Sequence, residues 1–206
     1  MLLPPELVIF DCDGVLVDSE PVAIELILED LAQRGLKLTR EDRHKLFVGG
    51  TIWGVGEIAR EMGADIPEDW ATAFYEKLFV ELAKGVPVVN GVIELIDDLE
   101  ARGVQTAIVS NGSERKMKIT LGPHGLWDRF HGRIFSAHSL GVAKPDPEII
   151  HIALRHFGIS PDRAVFVDDS PSGCKAGIAA GATTIGFAQN NDAERMVGVC
   201  DQLAYN

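Results

Sequence analysis

The sequence predicts an α/β fold, a parallel sheet covered by helices, with a small helical domain inserted near its start. Three observations predict it. Short apolar runs alternate with amphipathic stretches along most of the chain. The apolar runs are nearly continuous rather than alternating, as strands buried on both faces are. One region, from Ser19 to about Leu82, carries helical periodicity and no strand pattern.

The elements follow in order. Residues 7–10 read as the first strand. The helical region comes next, with Val22, Leu26, Ile27 and Leu31 at three- and four-residue spacing, and Phe74, Leu78, Phe79 and Leu82 likewise. Ser19 is placed as an N-cap, with Glu20 and Pro21 suited to a first helical turn. More than sixty residues is too long for a simple crossover, so 18–85 is assigned as a domain, with 1–17 and 86–206 forming the sheet domain. The Gly85-Val86-Pro87-Val88 segment would be the return linker. Further strands are expected at 106–109, 133–135, 164–167 and 183–187. Helices are expected at 93–102, 148–157 and 172–180, where Gly103, Gly158 and Gly181 stand as C-terminal glycines do. Strand, helix, strand in repetition implies a parallel sheet with helices on both faces.

Composition excludes several functions. The 206 residues carry 31 acidic and 19 basic side chains, a formal charge of −12, and no Lys/Arg-dense block. Nucleic-acid binding is therefore not expected. A hydrophobic share of 46% is too high for a disordered acidic tail. No apolar run reaches the roughly 20 residues of a membrane helix, and no export signal is recognised. Cys12, Cys174 and Cys200 are too few and too scattered for a disulfide framework or a zinc site. A soluble, cytoplasmic protein is expected. The oligomeric state is left open, with a monomer compatible with the sequence.

In an open parallel sheet, ligands bind beyond the carboxyl ends of the strands. Four polar clusters fall there. Asp11-Cys12-Asp13-Gly14-Val15-Leu16-Val17-Asp18 follows the first strand, Ser110-Asn111-Gly112 the second, and Asp168-Asp169-Ser170 the fourth. Gly141-Val142-Ala143-Lys144-Pro145-Asp146-Pro147 precedes the helix that leads into the fourth. Taken singly, each is a loop, a turn or a helix cap. Taken together, four carboxylates at one edge would repel one another unless a cation neutralised them. An all-oxygen donor set favours Mg2+, which keeps several waters and accepts a substrate phosphate oxygen. A carboxylate beside it can attack phosphorus. A second carboxyl two residues on can protonate the leaving oxygen and then deprotonate water. A serine, backbone amides and a lysine can hold the phosphoryl oxygens.

These residues resemble the four signature motifs of the haloacid-dehalogenase-like superfamily, from Val8 to about Phe187. Phe10 to Ser19 is similar to the first motif, Ser110 to the second, Lys144 in Lys-Pro-Asp-Pro to the third, and Asp168-Asp169-Ser170 to the fourth. The resemblance implies a Rossmann-like core with a helical C1-type cap. It implies Asp11 as nucleophile and Asp13 as general acid and base. It also implies a metal site of Asp11, the Asp13 carbonyl and Asp169, with Asp168 ligating directly or through water. Ser110, Asn111 (mainly by its backbone) and Lys144 would bind the phosphoryl group, Lys144 also orienting Asp11. Asp18 would serve the hinge to the cap, and Cys12 would point away from substrate.

Within the superfamily, dehalogenases and phosphonate hydrolases lack the second aspartate, so Asp13 points to phosphate-ester chemistry. The subgroup of β-phosphoglucomutases and sugar-phosphate phosphatases looks nearest. The mutases carry a histidine where Ala23 aligns, and a lysine and an arginine near a cap glycine where this chain has Val48-Gly49-Gly50-Thr51-Ile52. Without those groups water is the expected acceptor. The expected activity is Mg2+-dependent hydrolysis of a small phosphorylated metabolite, a sugar phosphate or a sugar-acid phosphate such as 6-phosphogluconate. A phosphomutase and an inactive binding protein on the same scaffold are the alternatives. Gly49, Gly50, Thr51 and Trp53, with Phe47, stand where the cap would select substrate. Phe47 and Trp53 fit the core of the helical domain equally well.

Overall fold

The computed structural model describes residues 4–39, 42, 51–188 and 193–205. Its contacts divide the chain into two units, residues 1–18 with 87–206, and residues 19–86.

The first unit is built on a parallel sheet. Its described strands are β1 (Leu7–Phe10), β2 (Gln105–Ser110), β3 (Ile134–Ser136), β4 (Ala164–Asp168), β5 (Thr183–Ala188) and β6 (Gln202–Tyr205). Their spatial order is β3-β2-β1-β4-β5-β6, every neighbouring pair parallel. The order reverses direction at β1, so a crevice opens between the carboxyl ends of β1 and β4. Leu7, Ile9, Ala107, Val109 and Phe166 form one buried face with Ile149, Ile150, Ala153 and Leu154. These last four belong to the helix Glu148–Phe157. The alternate residues Val8, Phe10 and Ile108 point to the opposite face and are buried too. Burial on both sides is why these strands read as continuous apolar runs.

The strand β6 was not expected. Its Gln-Leu-Ala-Tyr sequence is short, and its outer residues Gln202 and Tyr205 are exposed, so no hydrophobic pattern marks it. It pairs with β5 at the edge of the sheet. The glycines Gly158 and Gly181 close their helices in the left-handed region, and Gly103, two residues past the end of the helix Val92–Ala101, has φ +76°.

The second unit is helical: α1 (Glu20–Gln33), α2 (Ile52–Glu61) and α3 (Trp70–Leu82). The helix α3 packs on both others. Its apolar residues Phe74, Leu78, Phe79 and Leu82 are buried, as the spacing implies. On α1 the buried stripe differs from the expected one. Ile24, Ile27, Asp30 and Leu31 face inward, while Val22 and Leu26 are only half-buried. Ser19 does not act as the cap: its backbone is helical (φ −91°, ψ −13°) and its side chain makes no capping bond. The buried acid Asp30 explains the shifted stripe. It accepts hydrogen bonds from Trp70 Nε1 at 2.6 Å, Arg34 Nε at 2.7 Å and Lys77 Nζ at 2.7 Å. Burial alone would raise the Asp30 pKa, but those three donors outweigh it and hold the carboxyl below its usual range.

The chain leaves the sheet unit after Asp18 and re-enters it at Pro87, one residue later at each end than the sequence suggested. The two segments of the sheet unit at this junction pair. The Asp18 amide donates to the Pro87 carbonyl at 2.9 Å, and Val17 bridges Val88 in antiparallel fashion. Among the described residues no helix is long and apolar enough to cross a membrane.

Candidate active site

The site forms where β1 and β4 end side by side. The Asp11 amide donates to the Val167 carbonyl at 2.8 Å, which extends the ladder by one bond and fixes the start of the loop. After Asp11 the chain turns tightly. Leu16 and Val17 both donate to the Cys12 carbonyl, and Gly14 donates to Val17. Gly14 has φ +78°, and a β-carbon there would overlap the Asp169 carboxylate, so both conformation and space demand glycine.

Asp11 and Asp168 meet across one lysine. Lys144 Nζ donates to Asp11 Oδ1 at 2.7 Å and to Asp168 Oδ2 at 2.6 Å. All three side chains are buried, Asp168 completely. Asp168 is held on its other oxygen by Ser170, whose amide and hydroxyl donate to Oδ1 at 2.8 and 2.6 Å. Ser170 also caps the helix α4 (Pro171–Ala180) by accepting from the Gly173 amide. The cap is thus a serine, not either aspartate. A β-carbon at Gly173 would overlap the Asp168 carboxylate, a requirement that no pattern in the sequence signals.

Oxygens of Asp11, Asp168 and Asp169 lie within 4.8 Å of one another. Three carboxylates against one ammonium leave surplus negative charge in a largely dry place. The consequence appears at Asp11. Burial pushes its carboxyl up to about 7; Lys144 opposes this, and Asp168 and Asp13 add to it. For Lys144, burial disfavours the ammonium, but the two carboxylates outweigh it and hold the pKa above its usual value. A bound divalent cation would relieve the strain, and the donors fit one that prefers oxygen: carboxylates only, with no imidazole or thiolate in the set.

The remaining predicted residues separate. Ser110 is buried at the end of β2 and accepts from the Gly112 amide at 3.0 Å. The Asn111 side chain is spent on the Lys144 backbone: Nδ2 donates to its carbonyl at 3.0 Å, and Oδ1 accepts from its amide at 2.9 Å. It clamps the lysine loop to the β2 loop. The Asp13 carboxylate does not join the acidic group. It pairs with Lys116, Nζ to Oδ2 at 2.8 Å. Lys116 was not anticipated; in the sequence it is one of several cations in Glu-Arg-Lys-Met-Lys, and nothing local tells which of them faces inward. Burial opposes its charge, but Asp13, joined by Cys12 and Asp11, outweighs it and raises the pKa. Cys12 is fully buried, and burial pushes its thiol well up, so it is a packing residue.

Gly49, Gly50 and Phe47 lie outside the described residues. Thr51 caps α2, accepting from the Gly54 amide at 3.1 Å. Trp53 is 51% exposed and leans on Tyr75, ring centroids 5.1 Å apart, so it is not core of the helical unit.

Comparison with known proteins bears on this geometry. A family described as haloacid dehalogenase-like hydrolase matches residues 5–181. The chain is 28% identical to the 6-phosphogluconate phosphatase of Escherichia coli K12 over 184 residues, covering 88% of this chain and 82% of that one. It is 32% identical to a CBBY-like protein of Arabidopsis thaliana, covering 96% of this chain and 69% of the relative. Among solved structures, a HAD family hydrolase from Deinococcus radiodurans with bound phosphate and sodium superposes with a TM-score of 0.83. That pair shares 29% identity, with 98% of this chain and 92% of that one covered.

Proposed function

We propose that this chain, which belongs to the haloacid dehalogenase-like hydrolases, is a Mg2+-dependent phosphatase of small phosphorylated metabolites, with Asp11 as nucleophile. The observation that carries the reading is the buried Asp11–Lys144–Asp168 arrangement, with Asp169 beside it, at the point where the strand order reverses. A relative named 6-phosphogluconate phosphatase supports sugar-acid phosphates as the first substrates to try.

The residues act as follows. Lys144 holds Asp11 Oδ1, so one oxygen of the carboxylate is tethered while the group attacks phosphorus. Ser110 and the backbone amides of its loop bind phosphoryl oxygens. As the P–O bond to the leaving group breaks, its electron pair goes to the ester oxygen. Asp13 gives that oxygen a proton, and the phosphoryl group is left on Asp11. Asp13, now a carboxylate, takes a proton from water as the water attacks phosphorus, and Asp11 is released. The three-carboxylate group of Asp11, Asp168 and Asp169 would hold Mg2+, which supplies positive charge to the phosphoryl oxygens.

Asp11→Asn is expected to lower turnover of an aryl phosphate by at least about 10³-fold with the fold intact, the scale set by loss of a nucleophile. Near-wild-type turnover in that variant would overturn the assignment. Activity that survives exhaustive chelation would overturn the metal site.

A further inference from the structure

Lys116 is the charged group at the site that the mechanism above does not use. It lies in the first turn of the helix Glu114–Leu121, and its Nζ is 2.8 Å from Asp13 Oδ2. The two side chains retain 18% and 28% of their exposure, so this is a recessed pair rather than a solvated one. It stands beside Ser110. A β-carbon on Gly112 would lie 3.2 Å from Ser110 Oγ, 3.6 Å from Asp13 Oδ2 and 3.8 Å from Lys116 Cδ. Three functional groups therefore converge on the bare backbone of one glycine. The backbone of Lys116 is itself tied down. Its amide donates to Ser113 Oγ at 3.3 Å, and its carbonyl accepts from Thr120 Oγ1 at 3.2 Å.

Asp13 follows a strand end in a tight turn, where a carboxylate can rotate about Cβ–Cγ unless something holds it. Proton transfer to a leaving oxygen requires placement to well under an ångström. We propose that Lys116 is a positioning residue for the proton-transfer step, fixing the plane of the Asp13 carboxyl by holding its Oδ2. The inference rests on the reading of Asp13 as proton donor. In that step the Asp13 proton goes to the ester oxygen, which also takes the P–O electron pair. The carboxylate that results lies against the Lys116 ammonium, which stabilises it.

The test uses leaving groups. Nitrophenolate departs without a proton; an alkoxide does not. kcat/KM is measured for nitrophenyl phosphate and for the best alkyl phosphate in a sugar-phosphate panel, since this parameter reports the first transfer. Lys116→Met is expected to lower the alkyl value by about 10- to 100-fold while the aryl value stays within about threefold. Lys116→Arg, which can keep the ion pair, is expected to preserve the wild-type ratio. Thermal unfolding checks the fold, and Lys116→Gln replaces the methionine variant if that fails to fold. Equal loss on both substrates, or no loss on either, overturns the positioning role. Asp13→Asn separates the two ideas. If it shows the leaving-group dependence and Lys116→Met does not, only the Lys116 inference falls. If it shows none, the proton-donor reading falls, and the inference with it.

Discussion

Asp11 is the residue at which burial and the proposed nucleophile role pull in opposite directions. Its carboxyl is raised to about 7 in the folded chain, against about 3.9 for a free aspartate. Between those values the native state binds more protons than the unfolded state, so stability without a metal falls as pH rises through this window. The contribution is fully present below the lower value and lost above the upper one. Urea unfolding of chelated protein from pH 4 to 8 is expected to show that decline, and Asp11→Asn to flatten it. An unchanged slope in the variant would place the charge elsewhere. Gly173 makes a second case. A methyl there meets the Asp168 carboxylate. Gly173→Ala is expected to destabilise by about 1–3 kcal/mol, the usual cost of overpacking, and to lower turnover through displacement of Asp168. Denaturation midpoints and kcat measured on the same preparation check both halves.

At the scale of elements, residue types at strand ends were legible and their orientations were not. The loops after β1, β2 and β4 carry acids, a serine and an amide in a recognisable order. That order did not reveal that the Asn111 side chain clamps the Lys144 backbone, or that Ser170 rather than Asp169 caps the following helix. The inward stripe of α1 keeps Ile27 and Leu31 but departs from the apolar spacing elsewhere, for a related reason. Apolar spacing alone favoured Val22 and Leu26, but Asp30 is drawn inside by Trp70, a partner 40 residues away. That contact gives the element its own test. Asp30→Ala leaves the Trp70 indole N–H buried without its acceptor, and should destabilise the helical unit by about 1–3 kcal/mol. Asp30→Asn keeps an acceptor and should cost less. Hydrogen exchange across 70–82 distinguishes the two. Because Asp30 is held below its ordinary range, its stabilisation is present above about pH 4 and lost as pH falls further.

For the whole molecule, the surplus of twelve negative charges is partly a local arrangement. Asp11, Asp168 and Asp169 are concentrated at one crevice, and Lys144 offsets only one of them. A divalent cation that binds only the native state should raise stability by about 2.7 kcal/mol at a hundredfold excess over its dissociation constant. Thermal unfolding against Mg2+ is expected to show this rise in the wild type and its loss in Asp169→Asn, with no assay of turnover required. An identical shift in both proteins would exclude Asp169 from the site.

The sequence by itself determined the kinds of element, the helical insertion and the chemistry available at the strand ends, because periodicity and turn residues act between neighbours in the chain. Only the tertiary structure decided which groups meet. Lys144 and Asp11 are 133 residues apart, and β4 lies beside β1 although five α-helices and two strands of the sheet unit come between them in sequence. Such meetings depend on non-local strand pairing and on which face each helix buries. No local pattern encodes the partner of a charge, and for that reason the Asp13–Lys116 pair became visible only in the folded chain.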